Sequence, residues 1–192
     1  MSLMRPRMWI RPASIRATES EPACATCDLP LPYAAADGAQ CAACLKSPPR
    51  HAGVKAVAAY GDVTREIALK LKHGGKIGLA RMIARMLQRY ARAIPDDAII
   101  TPVPLHWTRL WSRRYNQSAL ISAELARNSG HQHMPDLLQR TRRTRPLGGL
   151  SARERAAMVK GAFQIRAACK NLVKGRAVVL VDDVYTSGAT TD

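Results

Sequence analysis

Acidic residues are scarce in this chain: 14 Asp and Glu stand against 30 Lys and Arg, a formal charge of +16 over 192 residues. A surplus of that sign speaks against basic partners and for polyanions, whether nucleic acid, pyrophosphate esters or anionic lipid. Aromatic residues supply only 5% of the chain while hydrophobic residues make up 47%. A core is therefore affordable, but it has to be packed mainly from Ala, Leu, Ile, Val and Met. No apolar stretch approaches the roughly 20 residues a bilayer-spanning helix needs. The sequence MWIRPAS near the start interrupts any apolar signal core, so no secretory signal is expected. A Gly-x-x-x-x-Gly-Lys-Ser/Thr loop is missing too; Gly74-Gly75-Lys76 has neither its spacing nor its hydroxyl, which removes a P-loop nucleotide site. There is no internal repeat. The length permits one α/β domain with a small appendage.

What charge there is lies unevenly. Between Thr101 and Arg155 there are ten Arg and no Lys, against Glu124, Asp136 and Glu154, or 10 − 3 = +7. Arginine's planar fork suits bidentate phosphate recognition. The competing reading is a solvated surface whose arginines reflect genomic base composition.

Cys24-x-x-Cys27 and Cys41-x-x-Cys44 form two knuckles with thirteen residues between them. Two such pairs converge four thiolates into a tetrahedral Zn²⁺ site with no open position, hence a structural one. A disulfide pair is the alternative, and it suits poorly a chain with no expected signal and an odd fifth cysteine, Cys169. Cys169 reads as a small apolar residue. The segment is too short and too rich in Pro, Ala and Gly to fold alone, so metal would supply the missing stability. Residues 1–20 read as a disordered N-terminus, 21–47 as a zinc ribbon, and 52–192 as the main domain. The Lys46–Arg50 stretch, with Pro48-Pro49, is a stiff spacer.

In the main domain, alternation of Val54, Ala56 and Ala58 predicts a first strand ending near Tyr60. Asp62 caps a helix through Lys72. Ile77, Ala80, Ala84, Leu87, Ala91 and Ile94 keep helical spacing to Pro95. Ala98–Ile100 is a short buried strand. Asn116 caps a helix ending at Gly130, and Ser151-x-x-Glu154 is a capping box. Leu137-Leu138, Ala162–Ile165 and Val178–Val181 read as further strands, while the arginine-rich run from Arg140 to Gly149 reads as a mobile loop. Alternating helices and strands imply an α/β fold: a parallel sheet flanked by helices on both faces.

The most informative segment is VVLVDDVYTSGATTD, residues 178–192. An apolar run suits a strand buried on both faces. Asp182 and Asp183 stand where that strand ends, the place where open α/β sheets bind ligands. Carboxylates there can accept hydrogen bonds from vicinal hydroxyls or hold water of a hydrated Mg²⁺. Thr186, Ser187, Gly188, Ala189 and Thr190 offer hydroxyls, unhindered N–H groups and a helix start, the parts of an anion cradle. The plainer reading is an ordinary strand–loop–helix junction. The segment resembles the 5-phosphoribosyl-1-pyrophosphate (PRPP) signature of type I phosphoribosyltransferases.

Further segments in the same order resemble the ComF family: Leu71-Lys72 before Gly74-Gly75, Pro102-Val103-Pro104-Leu105-His106, Arg113-Arg114-Tyr115-Asn116-Gln117, and the Gly161-Ala162-Phe163 turn. The resemblance runs from Cys24 to Asp192. It implies an N-terminal zinc ribbon joined to a phosphoribosyltransferase-like domain, in a cytoplasmic protein linked to natural competence and the handling of single-stranded DNA. It further implies that Asp182 and Asp183 hold ribose hydroxyls, Thr186 to Thr190 the 5-phosphate, and Mg²⁺ the pyrophosphate. Thr101 to Pro104 would form the pyrophosphate loop. Arg109, Arg113 and Arg114 would offset the leaving charge, contact a DNA backbone or simply belong to the solvated surface. Leu147 and Met158 depart from the family, which usually has Gln and Asn there, removing two amides. Family members also continue past the signature with a helix and more sheet, so a C-terminally incomplete domain is expected. Two functions follow: a phosphoribosyltransferase-class site, or a non-catalytic single-stranded nucleic-acid adaptor on the same fold.

Overall fold

A computed structural model of the chain describes residues 8–9, 22–31, 35–36, 38–58, 61–73, 77–144 and 151–185. Two strands set the architecture, β2 (Ile99–Pro102) and β6 (Val178–Val181), and every residue in both is buried. That explains their unbroken apolar character: a strand covered on both faces has no polar side to alternate. They pair in parallel, Ile99 opposite Val178 and Pro102 opposite Val181. β3 (Gln132–His133) extends the sheet beside β2. β1 (Met8–Trp9) lies parallel to β6 on its other side, giving the order β1-β6-β2-β3. Two residues of the N-terminal stretch expected to be disordered thus have a place, because the free edge of β6 offers unpaired backbone groups.

One face of the sheet carries the main core. Ile100, Val179 and Val181 pack with Ala80, Ala84 and Leu87 of α3 (Gly78–Leu87) and with Ile121, Leu125 and Ala126 of α5 (Gln117–Ser129). Leu71 of α2 (Asp62–His73) joins the same cluster. The helical spacing read from Ile77 to Ile94 is split: α3 gives way at Gln88 to a 3₁₀ segment, Gln88–Ala93, which ends before Pro95. The opposite face differs from expectation. Ile99 and Val178 meet Leu137 and Val173, with Met134, Leu138, Ile165 and Cys169 against them. Among the described residues that face is covered by an antiparallel pair, β4 (Leu138–Arg140) with β5 (Phe163–Ile165), rather than by a long helix. Cys169 is accordingly a packing residue.

Val54 to Ala58 does not form a strand with named partners among the described residues; Val54, Val57 and Ala58 are buried, which is not a period of two. Helix ends follow the sequence closely. The Asn116 side chain accepts from the Ser118 N–H, Gly130 closes α5 at φ 75°, and Ser151 and Glu154 complete their reciprocal cap on α6 (Ala152–Val159). Two helices were not anticipated: α1 (Ala42–Lys46), which buries only Cys44, and α4 (Trp107–Arg113), which buries none of its residues. Residues 145–150, which include the second half of the loop expected to be mobile, fall outside the described residues, as do Gly74, Gly75 and residues 186–192.

Candidate functional site

Two clusters of chemically capable side chains stand out. In the first, Cys24, Cys27, Cys41 and Cys44 place their sulfurs within 4.8 Å of one another. Cys27 Sγ and Cys41 Sγ are 3.7 Å apart. A tetrahedron of sulfurs about Zn²⁺ at about 2.3 Å has edges of about 3.8 Å, so the spacing fits the ion. Backbone N–H groups of Cys27 and Cys41 point at Cys24 Sγ from 3.5 and 3.3 Å. Burial works against the Cys24 thiolate, but these N–H donors outweigh it and bring the thiol down to about 6. Burial, with the neighbouring thiols, pushes Cys27 up to about 11 and Cys44 higher still, a penalty that a bound cation would relieve. This donor set, four soft thiols without an open position, suits a structural zinc ion. The knuckles are tied to the main domain by Asp28, which takes φ 59° after the first pair, accepts from the Ala56 N–H at 2.8 Å and faces Lys55 at 3.5 Å.

The second cluster forms where β2 and β6 end together. The Val103 N–H donates to the Val181 carbonyl at 2.8 Å, carrying the pairing one residue past the strands and bringing 103–106 alongside the acids. The Asp183 N–H donates to Asp182 Oδ1 at 2.8 Å, locking the pair into a tight bend. α5 enters just opposite. Asn116, besides capping it, donates through Nδ2 to the Val103 carbonyl at 3.0 Å, fixing the helix start to the strand end. Its first turn then delivers two contacts: Gln117 Nε2 to Asp183 Oδ2 at 3.0 Å and Ser118 Oγ to Asp182 Oδ1 at 3.3 Å. From the end of α2, Lys72 Nζ reaches Asp183 Oδ2 at 3.1 Å. Tyr115 supports that reach by donating its hydroxyl to the Leu71 carbonyl.

The electrostatics of the pair are asymmetric. Burial, then the neighbouring Asp183 charge, push the Asp182 carboxyl up to about 7, against relief from the Asp183 N–H and Lys72. Asp183 has the ammonium and the amide beside it. Gln117 Oε1 is buried and has no hydrogen-bond partner among the described residues, which leaves an acceptor free for a further donor. Such an array of carboxylates and one unspent amide oxygen suits vicinal hydroxyls or a hydrated hard cation.

The other residues singled out in the sequence fall into distinct places. Thr101 is fully buried and spends its hydroxyl on the Met134 carbonyl at 2.8 Å, so it serves the fold rather than a ligand. Arg109 donates to the Thr144 carbonyl at 3.1 Å; burial and the charges of Arg113 and Arg143 weaken its hold on its proton. Arg113 is half-buried, and Arg114 is exposed at φ 64°, ending α4. None of the three touches the acids. Thr186, Ser187, Gly188, Ala189 and Thr190 lie outside the described residues. Lys72, Gln117 and Ser118 are the partners that sequence reading did not assign; for Lys72 and Gln117 the signal available was their position in segments that resemble the family, and Ser118 directly follows one of them. His106, His131 and His133 bond to Thr108, Ser129 and Ser122 and take no part.

Comparison with known proteins decides the kinship. The chain is 33% identical to Competence protein F of Haemophilus influenzae over 179 residues, 90% of this chain and 76% of that protein. The chain belongs to the ComF family. To the DNA utilization protein YhgH of Escherichia coli K12 it is 34% identical over 184 residues, 91% of this chain and 77% of that one. Competence protein ComFC of Bacillus subtilis is more distant, 25% identical over 143 residues, 71% of this chain and 53% of that protein. No family model matches the chain, and no solved structure does. This ComF-family chain thus joins an α/β domain with a parallel sheet to a four-cysteine cluster that fits zinc. Among the described residues no helix is long and apolar enough to cross a membrane.

Proposed function

We propose that the acidic end of β6 binds PRPP, or another sugar carrying a 5-phosphate, together with Mg²⁺, in a protein that serves competence and DNA utilization, the roles for which its relatives are named. The observation that carries the reading is the convergence on Asp182 and Asp183 of Lys72, Gln117 and Ser118 from two helices. Two adjacent carboxylates at a strand end accept hydrogen bonds from a ribose diol, and the orphaned Gln117 Oε1 supplies a further acceptor. Thr186 to Thr190 follow directly in the chain with the residue types a 5-phosphate needs. Bound Mg²⁺ would neutralise charge on the pyrophosphate group. Lys72 sits where an ammonium can exchange a carboxylate for a phosphate oxygen. Since PRPP is an intracellular metabolite, this reading places the protein in the cytoplasm.

Titration calorimetry on the full, zinc-loaded chain provides the test. PRPP should bind with Mg²⁺ present, and Asp183→Asn should weaken that binding at least tenfold, the loss of a charged hydrogen-bonding partner being worth about 1.5–3 kcal/mol. Uptake of PRPP that is indifferent to both Mg²⁺ and Asp183 would remove the proposal.

A further inference from the structure

α4 turns its apolar side to water. Trp107, Leu110 and Trp111 stand at i, i+3 and i+4, one stripe on one helix face, and are 65%, 43% and 82% exposed. Taking about 200 Å² for a whole indole side chain, the stripe offers on the order of 350 Å² of apolar surface. Patches of about 300–600 Å² are the largest a typical monomer exposes, and they are often functional. The helix is also presented rigidly. The His106 ring caps its first turn, accepting from the Thr108 N–H, and lies 5.6 Å from the Trp107 ring. Arg109, off the stripe, donates to the Thr144 carbonyl. A surface already ordered loses little freedom when an occupant arrives.

Shape, area and charge each narrow what that occupant is. Leu110 fills the face between the two indoles, so the ridge is continuous. Ridges of this spacing fit the grooves between side chains of a second helix. A stable interface between copies needs about 800 Å² from each partner, more than twice what the stripe offers; a short docked segment needs far less. The edge of the stripe is basic. Arg113 follows Leu110 by three residues and borders the stripe, and Arg114 ends the helix. Arg143 lies near enough for its charge, with that of Arg113, to be felt at Arg109. Among the described residues these four arginines take part in no ion pair. The chain carries no Asp or Glu between Asp97 and Glu124. Two copies meeting face to face would set arginine against arginine, whereas carboxylates would match them.

We infer that the α4 face docks an acidic amphipathic helix of another protein, whose apolar stripe lies across Trp107, Leu110 and Trp111 while its carboxylates meet Arg113, Arg114 and Arg143. Apolar contact supplies the affinity, and the arginines set encounter and register. The face is separate from the acidic end of β6 and does not depend on what binds there.

Fluorescence anisotropy of a labelled synthetic helix against the full, zinc-loaded chain provides the test. The probe has about 16 residues, or roughly four turns, with leucines at i, i+3, i+4 and i+7, glutamates on the flanks and alanines elsewhere. It should bind and shift wild-type tryptophan emission to shorter wavelength as the indoles leave water. A peptide of the same composition with its leucines spread round the helix should bind roughly tenfold more weakly, and one with lysines for glutamates should not bind. Trp111→Ala should weaken binding about 30-fold, and Trp107→Ala and Leu110→Ala about 5- to 30-fold, the range of buried interface anchors. Arg113→Gln and Arg114→Gln should each cost about 2- to 5-fold at low salt and less at high salt. All five side chains lie on α4 or at its end, outside the core, and an unchanged thermal midpoint verifies that the variants fold. Asp183→Asn should leave peptide affinity intact. Equal affinity for the two leucine arrangements overturns the inference, as does wild-type affinity in Trp111→Ala or no binding up to about 1 mM peptide. A thymidine oligonucleotide or phosphatidylserine vesicles that displace the peptide, and lose more affinity than it does in Trp111→Ala, would overturn it too. So would a doubled molar mass that Trp111→Ala abolishes, which would make the face a contact between copies.

Discussion

Four thiols between Cys24 and Cys44 are gathered by a single short stretch of chain, whereas Asp183 meets Gln117 across 66 residues and Lys72 across more. The ribbon has almost no core: its buried cluster is the cysteines themselves with Leu31. The acidic site stands on a core of two buried strands and three helices. A zinc ion held by the four thiols would be the stabilising element of the first region, and burial of aliphatic side chains is that of the second. Removing one source of stability should therefore leave the other region standing.

Chelation provides the largest expected effect. Structural zinc contributes about 10–16 kcal/mol in isolated finger peptides at neutral pH, more than a core of this small size supplies. Stripping metal from the full chain should release one zinc per chain. Amide exchange should then become fast across residues 24–44 while β2 and β6 keep their protection. Cys44→Ser should reproduce the effect. A ribbon that stays protected after the metal has left would erase the distinction between the two regions, as would a sheet that loses protection with it.

The acidic site offers a pH test with a definite sign. The Asp182 carboxyl titrates at about 7 in the folded chain against 3.8 ordinarily, so between those values the folded state holds a proton that the unfolded state has lost. Its stabilising contribution is complete below about 4 and disappears as the pH rises through about 7. Wild type should lose stability relative to Asp182→Asn between pH 5 and pH 8 in urea unfolding. Mg²⁺ and PRPP, which require the carboxylate, should bind more tightly over the same interval in wild type and with little pH dependence from this group in the variant. A difference between the two proteins that stays flat from pH 5 to 8 would mean that Asp182 is ionised throughout.

The two regions also differ in how far the sequence discloses them. The ribbon is legible because its information is local: two Cys-x-x-Cys spacings state the ligand number and the turn geometry at once. β6 and the helix caps are legible for the same reason, since Asn116, Gly130 and Ser151 act on backbone one to three residues away. The partners of Asp183 are not, because Lys72 and Gln117 arrive through the placement of α2 and α5 on the sheet. Nothing in a lysine at the end of a helix announces a carboxylate on the far side of the fold. The strand expected from Val54 to Tyr60 shows the same limit. Small apolar residues at period two suit a strand, yet burial falls at Val54, Val57 and Ala58, the last two in the core shared with α2 and α3, and residues 59–60 lie outside the described residues. α4 escaped notice because an apolar stripe that faces solvent looks, in sequence, like any other short amphipathic run.

The smallest effect probes the joint between these kinds of information. Asn116 is both a local cap, through Oδ1 to the Ser118 N–H, and a long-range tie, through Nδ2 to the Val103 carbonyl, each at 3.0 Å. Asn116→Ser keeps a capping oxygen and gives up the tie; Asn116→Ala gives up both. Loss of an N-cap costs about 1 kcal/mol, and one net hydrogen bond about the same, so alanine should destabilise by about 2 kcal/mol and serine by about half of that. Both should also weaken PRPP binding although Asn116 touches neither acid, because the first turn of α5 carries Gln117 and Ser118. Ser151→Ala, which removes an equivalent cap from α6, should cost similar stability and leave binding untouched. Equal losses of affinity from the Ser151 and Asn116 variants would show that binding follows general stability, and that the bond between helix start and strand end does not position the site.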